Sequence, residues 1–329
     1  MKKKGFIIGI LISAFFIYLA ISRVAYSELK SALQSCNYYY LIPMFALSVI
    51  LQLFKSLRWK LILNPIKRIR LAMVYYVHCI GFMGINILPF RLGDLLRPYL
   101  MAKQEKLPIS TSLATTVVER ILDAGTLFIF IVFAIIYAPL PQNVIESGKD
   151  ALVGIVVLIG VFIIILWKGR TFLAKMTSNK LLAPFQEKIL NLFDSFKKGF
   201  DIMPDKRAVV LASVISLFFW VIPVFNTYLL FFAFDLKLPL TAALTAFIII
   251  SIGIMIPSAP GFIGNFQYFC IIALSLYGIE KSEALAFSII LHSVQFFATL
   301  GQGIFSLIMG KIKFSEVIQI GKASTTGYN

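Results

Sequence analysis

The sequence predicts an all-α polytopic integral membrane protein, with about six full spans and two broken, re-entrant helical hairpins. Three observations carry this prediction. Of 329 residues, 59% are hydrophobic and only 14% are charged, at a mean hydropathy of +0.89. A soluble domain cannot hide so much apolar side chain. Six apolar runs are long enough to cross a hydrocarbon core, which takes about 20 helical residues. Two further apolar stretches, 71–107 and 239–277, are each interrupted near the middle by proline and glycine.

Taken in order, Lys2-Lys3-Lys4 followed by Gly5–Ile21 has the basic flank and apolar core of a secretory signal. The apolar run is long and no small-x-small site follows cleanly, so 5–22 reads as an uncleaved first helix. Further spans are expected at 40–57, 113–138, 151–167, 208–233 and 284–309. The first interrupted stretch breaks at Pro89-Phe90-Arg91-Leu92-Gly93. The second breaks at Pro257-Ser258-Ala259-Pro260-Gly261-Phe262-Ile263-Gly264. Proline lacks the amide for the helical ladder and glycine tolerates unusual dihedrals, so each break is read as a hairpin, the blander alternative being a proline kink in one helix. Irregular backbone at membrane depth must be buried in protein or face water. Two hairpins of opposite orientation, each followed by one long helix, are the trace of an inverted repeat.

Residues 168–207 form the largest connection. Leu181, Leu182, Phe185, Ile189, Leu192, Phe193 and Phe196 recur at helical spacing among lysines. That pattern suits an amphipathic helix at the inner interface, or a connector packed on its own protein. It is too short for an enzyme domain. Residues 1–320 are read as a single transmembrane domain and 321–329 as a disordered tail.

The net charge is +16. Placing the termini, 55–70, 103–112 and 168–207 inside gathers 23 basic and 6 acidic residues there. The outer loops hold 5 basic and 6 acidic residues. This asymmetry puts both termini in the cytoplasm. The basic residues thus act as topology signals and contacts for anionic headgroups, and nucleic acid is not expected as a partner. Cys36, Cys79 and Cys270 are scattered and make neither a metal site nor a clear disulfide framework.

Three arginines and three carboxylates remain, all between 91 and 123. Arg91, Asp94 and Arg97 are three apart and share a face if helical. Ser112, Thr116, Glu119 and Asp123 make one polar stripe, with Arg120 beside it. Two carboxylates one turn apart need a cation between them. Two readings compete. All six charges pair and fix hairpin against helix, or at least one arginine is left to grip an anionic headgroup, since guanidinium matches phosphate in bidentate geometry. Arg91, between Pro89 and Gly93, is the foremost candidate, with Arg97 and Arg120 beside it. In the second hairpin Ser258, Asn265 and Gln267 are candidate polar contacts. The bland reading there is tight packing at Pro257, Pro260, Gly261 and Gly264. His292 reads as an interhelical hydrogen-bond partner sooner than a proton relay. Walker A, HExxH, GxSxG and Cys/His metal patterns are absent, so neither cofactor nor metal is expected. Glu119 and Asp123 could serve as an acid–base pair, which keeps a membrane transferase in view.

The run Asn86…Pro89-x-Arg91-x-Gly93-Asp94-x-x-Arg97, followed by Ser112…Glu119-Arg120-x-x-Asp123, resembles the membrane region of the lysylphosphatidylglycerol synthase/flippase family. Pro260-Gly261-x-x-Gly264 is similar to that family's second signature. The resemblance implies a multi-pass cell-membrane protein that moves an anionic or aminoacylated phospholipid between leaflets. It also implies that a separate transferase makes such a lipid. The family pattern usually has glutamate where Gln267 stands and often arginine near His292. These departures make a polyprenyl-phosphate-linked sugar the rival substrate. The expected partners are one of these lipids, a separate lipid-modifying transferase, and a second copy of the chain. The expectation is a transporter sooner than an enzyme.

Overall fold

The computed structural model describes residues 2–88, 93–177, 186–201, 205–256 and 258–312. Among these residues the chain folds into α-helices and short 3-10 turns, without strands. The helices are α1 (Lys2–Ile21), α2 (Tyr26–Ser35), α3 (Leu41–Leu63), α4 (Leu71–Ile87), α5 (Gly93–Glu105), α6 (Ile109–Tyr137), α7 (Gln142–Thr177), α8 (Gln186–Asp201), α9 (Lys206–Ala233), α10 (Leu240–Gly253), α11 (Asn265–Ser275) and α12 (Lys281–Met309).

Five of them are long and apolar enough to cross a membrane: α3, α6, the first part of α7, α9 and α12. A sixth span arises if α1 and α2, bent by 84° at their junction, count together. The protein is therefore an all-α polytopic membrane protein, as composition and spacing predict.

Two expectations are corrected. The connection expected at 55–70 begins only after Leu63, because α3 continues without a break. Its buried residues Ser48, Gln52, Ser56, Trp59 and Leu63 step by three and four, so one helical face persists past residue 57. Lys55 and Arg58 consequently lie inside a membrane helix. Similarly, α7 runs on to Thr177, about 54 Å in all, well beyond a hydrocarbon core of about 30 Å. Its far end carries α8 folded back against it. Arg170 Nε donates to Asp194 at 3.2 Å, and Phe162 meets Phe200 at 5.4 Å. Helix α8 also packs on α6. The connector therefore packs on its own protein. Leu181, Leu182 and Phe185 lie outside the described residues, as does the tail 321–329.

Helices α4, α5, α10 and α11 measure about 26, 20, 21 and 17 Å, each too short to cross alone. They form two hairpins. In the first, a methyl group on Gly93 would lie 2.1 Å from Ile85 N and 2.4 Å from Gly81 O. Only glycine permits that approach. In the second, Gly261 (φ 73°) and Gly264 (φ 94°) turn the chain with left-handed backbone, where a side chain would be strained.

The packing repeats between the halves. Helix α3 packs on α4 as α9 packs on α10. Helix α5 packs on α6 as α11 packs on α12, and α4 crosses to α12 as α10 crosses to α6. Helices α3 and α9 are antiparallel partners at the centre. Tyr40 stacks on Phe232, Phe54 meets Phe218, and Arg58 reaches Ser216 at 2.9 Å. Helix α5 starts at 93 and α11 at 265, α6 at 109 and α12 at 281, so one offset of 172 residues relates both pairs. This is the architecture of an inverted repeat. The two hairpin tips meet where the 3-10 turn Pro260–Phe262 packs on α4.

Candidate functional site

Three helices, α3, α5 and α6, carry the charges to one place, and α9 closes it with Trp220. The polar stripe of α6 faces α3, where Trp59 Nε1 donates to Thr115 Oγ1 at 3.0 Å. This bond fixes the register of α3 on α6. One turn deeper, Arg97 from α5 donates to Glu119, and its guanidinium lies 4.4 Å from the Trp59 ring. Arg58 from α3 reaches Glu119 Oε1 at 3.3 Å and Asp123 Oδ1 at 2.6 Å. Trp220 from α9 donates its indole N–H to the same Asp123 oxygen at 3.0 Å. Arg120 bridges Asp123 at 3.6 Å and Asp94 at 2.8 Å.

The result is an alternating chain: Asp94, Arg120, Asp123, Arg58, Glu119, Arg97. Each carboxylate has at least one guanidinium within ion-pair distance, so the three carboxylates are neutralised. Burial is steep along the chain. Arg97 and Arg58 are 2% and 3% exposed, whereas Arg120 at the other end is 47% exposed. The cluster lies deep. Counted along the axes from Leu63, Ile109 and Lys206, Lys55 sits about 12 Å in, Glu119 about 15 Å and Trp220 about 21 Å. Buried ions at such depth persist only with partners of this kind.

One more cation belongs here. Lys55 Nζ lies 4.8 Å from the Phe82 ring centre, 5.0 Å from Trp220 and 5.6 Å from Phe219. Among the described residues these rings are its contacts, and no carboxylate lies within ion-pair distance of it. The described cluster thus holds four cations, Lys55, Arg58, Arg97 and Arg120, against three carboxylates.

Of the residues expected from sequence, Arg97, Arg120, Asp94, Glu119 and Asp123 come together. Arg91, Pro89 and Pro257 lie outside the described residues. Arg97 is committed to Glu119 beneath Trp59, while Arg120 keeps an open side. Ser258, Asn265 and Gln267 sit apart, in the second hairpin. Asn265 Nδ2 donates to Ile256 O at 3.1 Å and Gly253 O at 3.4 Å, closing the turn. Gln267 Oε1 accepts from Gly264 N at 2.8 Å, and its Nε2 lies 3.0 Å from His292 Nδ1. His292 thus has the interhelical partner expected of it. Ser258 Oγ and Asn265 Oδ1 are buried without partners among the described residues. Sequence reading missed Arg58 and Lys55, which the rule for basic loops had placed outside the membrane. The three cysteines are buried and free, and no described cluster of His, Cys, Asp or Glu is arranged to hold a metal.

The family model of the lysylphosphatidylglycerol synthase transmembrane region matches residues 6–303, and the chain belongs to that family. Two archaeal relatives agree. A "UPF0104 membrane protein" of Methanothermobacter thermautotrophicus is 24% identical over 88% of both chains. One of Methanocaldococcus jannaschii is 22% identical over 85% of this chain and 88% of its own.

Proposed function

We propose that the protein moves an anionic or aminoacylated phospholipid between the two leaflets of a cell membrane, with both termini in the cytoplasm. One observation carries this reading. The ion chain, set inside the membrane-helix bundle, satisfies its carboxylates with three arginines, yet a fourth cation stands beside it. A purely structural network gains nothing from a surplus charge, which is costly within a membrane bundle. A passing phosphate offsets it. The inverted arrangement of the hairpins supports alternate access from the two sides.

The test is dithionite quenching of fluorescent phospholipid in proteoliposomes. Protein-dependent exposure of inner-leaflet probe is expected. A signal equal to protein-free vesicles, across anionic and aminoacylated probes, refutes the reading.

A second reading has its own observation. A cavity of about 820 Å³ opens at the Leu63 end of α3, lined by Lys60, Arg68, Arg70 and Arg207 with Asp205. The basic lining suits a phosphate, and the volume leaves room for a sugar beside it. It favours a polyprenyl-phosphate-linked sugar as the lipid moved. A polyprenyl-phosphate probe in the same assay separates the two.

A further inference from the structure

We infer that Lys55 Nζ, in its frame of Phe82, Phe219 and Trp220, is the docking point for a phosphate oxygen of a lipid headgroup. The inference rests on the translocation reading for its purpose but on separate geometry for its place.

The ammonium has three N–H donors. Ring faces at 4.8–5.6 Å attract its charge but accept hydrogen bonds only weakly. The nearest acidic group along the ion chain, Asp123, already gives one oxygen to both Arg58 and Trp220 and the other to Arg120. Lys55 is therefore a cation held in position with its donors unspent. Its nitrogen is also reachable. Lys55 is half-buried, and Nζ is not among the buried atoms that lack partners, whereas the Nε atoms of Arg58 and Arg97 are.

The frame is rigid for identifiable reasons. Trp220 is pinned through its indole N–H to Asp123, and Phe219 is fully buried against the Arg58 guanidinium at 4.7 Å. Phe82 packs against His78 with ring centres 4.6 Å apart, and His78 in turn bonds Gln52 at 3.0 Å. The rings thus come from α4 and α9, and Lys55 from α3 sits between them. A phosphate oxygen approaching the open side of Nζ would meet a donor already desolvated on its other sides. Apolar ring edges suit the glycerol and acyl portions of a lipid better than a free, fully hydrated phosphate. A choline-like cation would be repelled by the ammonium.

Trp220 provides the readout. The full chain in maltoside micelles is titrated with dioctanoylphosphatidylglycerol, dioctanoylglycerol, glycerol phosphate and inorganic phosphate while tryptophan emission is followed. A saturable change with the phospholipid and none with dioctanoylglycerol is expected. Lys55→Gln should weaken the midpoint by about tenfold or more, and Lys55→Arg should largely restore it. Trp220→Phe should remove most of the signal, and a gel-filtration profile matching wild type qualifies each variant as folded. An unchanged titration in folded Lys55→Gln overturns the site. An equal response to glycerol phosphate overturns the lipid assignment. Failure of translocation leaves this titration intact, so the two readings fail separately.

Discussion

Arg58 on α3 and Asp123 on α6 lie 65 positions apart in the chain and 2.6 Å apart in space, and their contact joins the two halves of the ion chain. Arg58 also holds Glu119, so one guanidinium links the two carboxylates that face each other across one turn of α6. Without it, Glu119 would retain Arg97 and Asp123 would retain Arg120, but the like charges would lose the cation between them. Arg58→Ala is expected to lower stability by about 3–5 kcal/mol, the range for breaking a buried pair. Arg58→Lys should recover part of this, because a point charge cannot reach both carboxylates as a fork does. The double variant Arg58→Ala, Asp123→Asn should be more stable than Arg58→Ala alone. Thermal unfolding in detergent measures all three, and additive losses would contradict the linkage.

The first hairpin depends on backbone contact, which gives a second prediction. A methyl group at Gly93 would meet Ile85 N and Gly81 O, atoms that cannot swing aside. Gly93→Ala must therefore separate α4 from α5 and displace Arg97 from Glu119. A loss of about 1–3 kcal/mol or more is expected. Gly125 and Gly301 lie in helices with open space around them, so alanine there should leave the unfolding temperature unchanged or raise it by about 1–3 °C. Equal effects at Gly93 and Gly125 would refute the close approach.

These contacts show how far the sequence could be read. The hairpins were legible because Pro89, Gly93, Pro260 and Gly264 interrupt apolar runs, and such interruptions have few physical meanings inside a membrane. The stripe of Glu119 and Asp123 on α6 was legible from helical spacing alone. Arg58 and Lys55 were not, because basic residues at the end of an apolar run look like a cytoplasmic flank. The corrective signal was present in Ser48, Gln52, Ser56 and Trp59, whose spacing continues the buried face of α3 beyond residue 57. Which arginine would sit between Glu119 and Asp123 could not be read at all. That depends on the register of α3 against α6, a long-range contact without a local signature.

The basic cavity at the end of α3 yields a third prediction. Lys60, Arg68, Arg70 and Arg207 outnumber Asp205, and juxtamembrane basic residues contribute about 1 kcal/mol each toward anionic headgroups. Replacing Arg68, Arg70 and Arg207 together by glutamine should weaken binding of a soluble short-chain phosphatidylglycerol to the micellar protein and flatten its salt dependence, without changing thermal stability by more than about 1 kcal/mol. Titration with a fluorescent short-chain phosphatidylglycerol at two salt concentrations measures this. A salt slope identical to wild type would remove the cavity from headgroup capture.

The last prediction concerns the uncharged half. The offset of 172 residues that relates α5 to α11 and α6 to α12 carries Asp94 to Phe266 and Arg120 to His292. In the first half this pair is an ion pair at 2.8 Å. In the second it is a ring stack, with centroids 4.5 Å apart and planes 10° from parallel. Two equivalent positions thus hold the second arm of each hairpin on its long helix, by charge in one half and by stacking in the other. Gln267 adds a hydrogen bond to His292. A carboxylate at 267 would stand in this stacked, apolar setting with the His292 ring as its neighbour and, among the described residues, no cation opposite it. Gln267→Glu alone should therefore destabilise by about 1–3 kcal/mol at neutral pH. Adding His292→Arg supplies the missing cation and should recover most of that loss, whereas His292→Arg alone should also destabilise. Unfolding temperatures of the three variants complete a double-mutant cycle, and a coupling energy near zero would show that the two residues do not act as a pair.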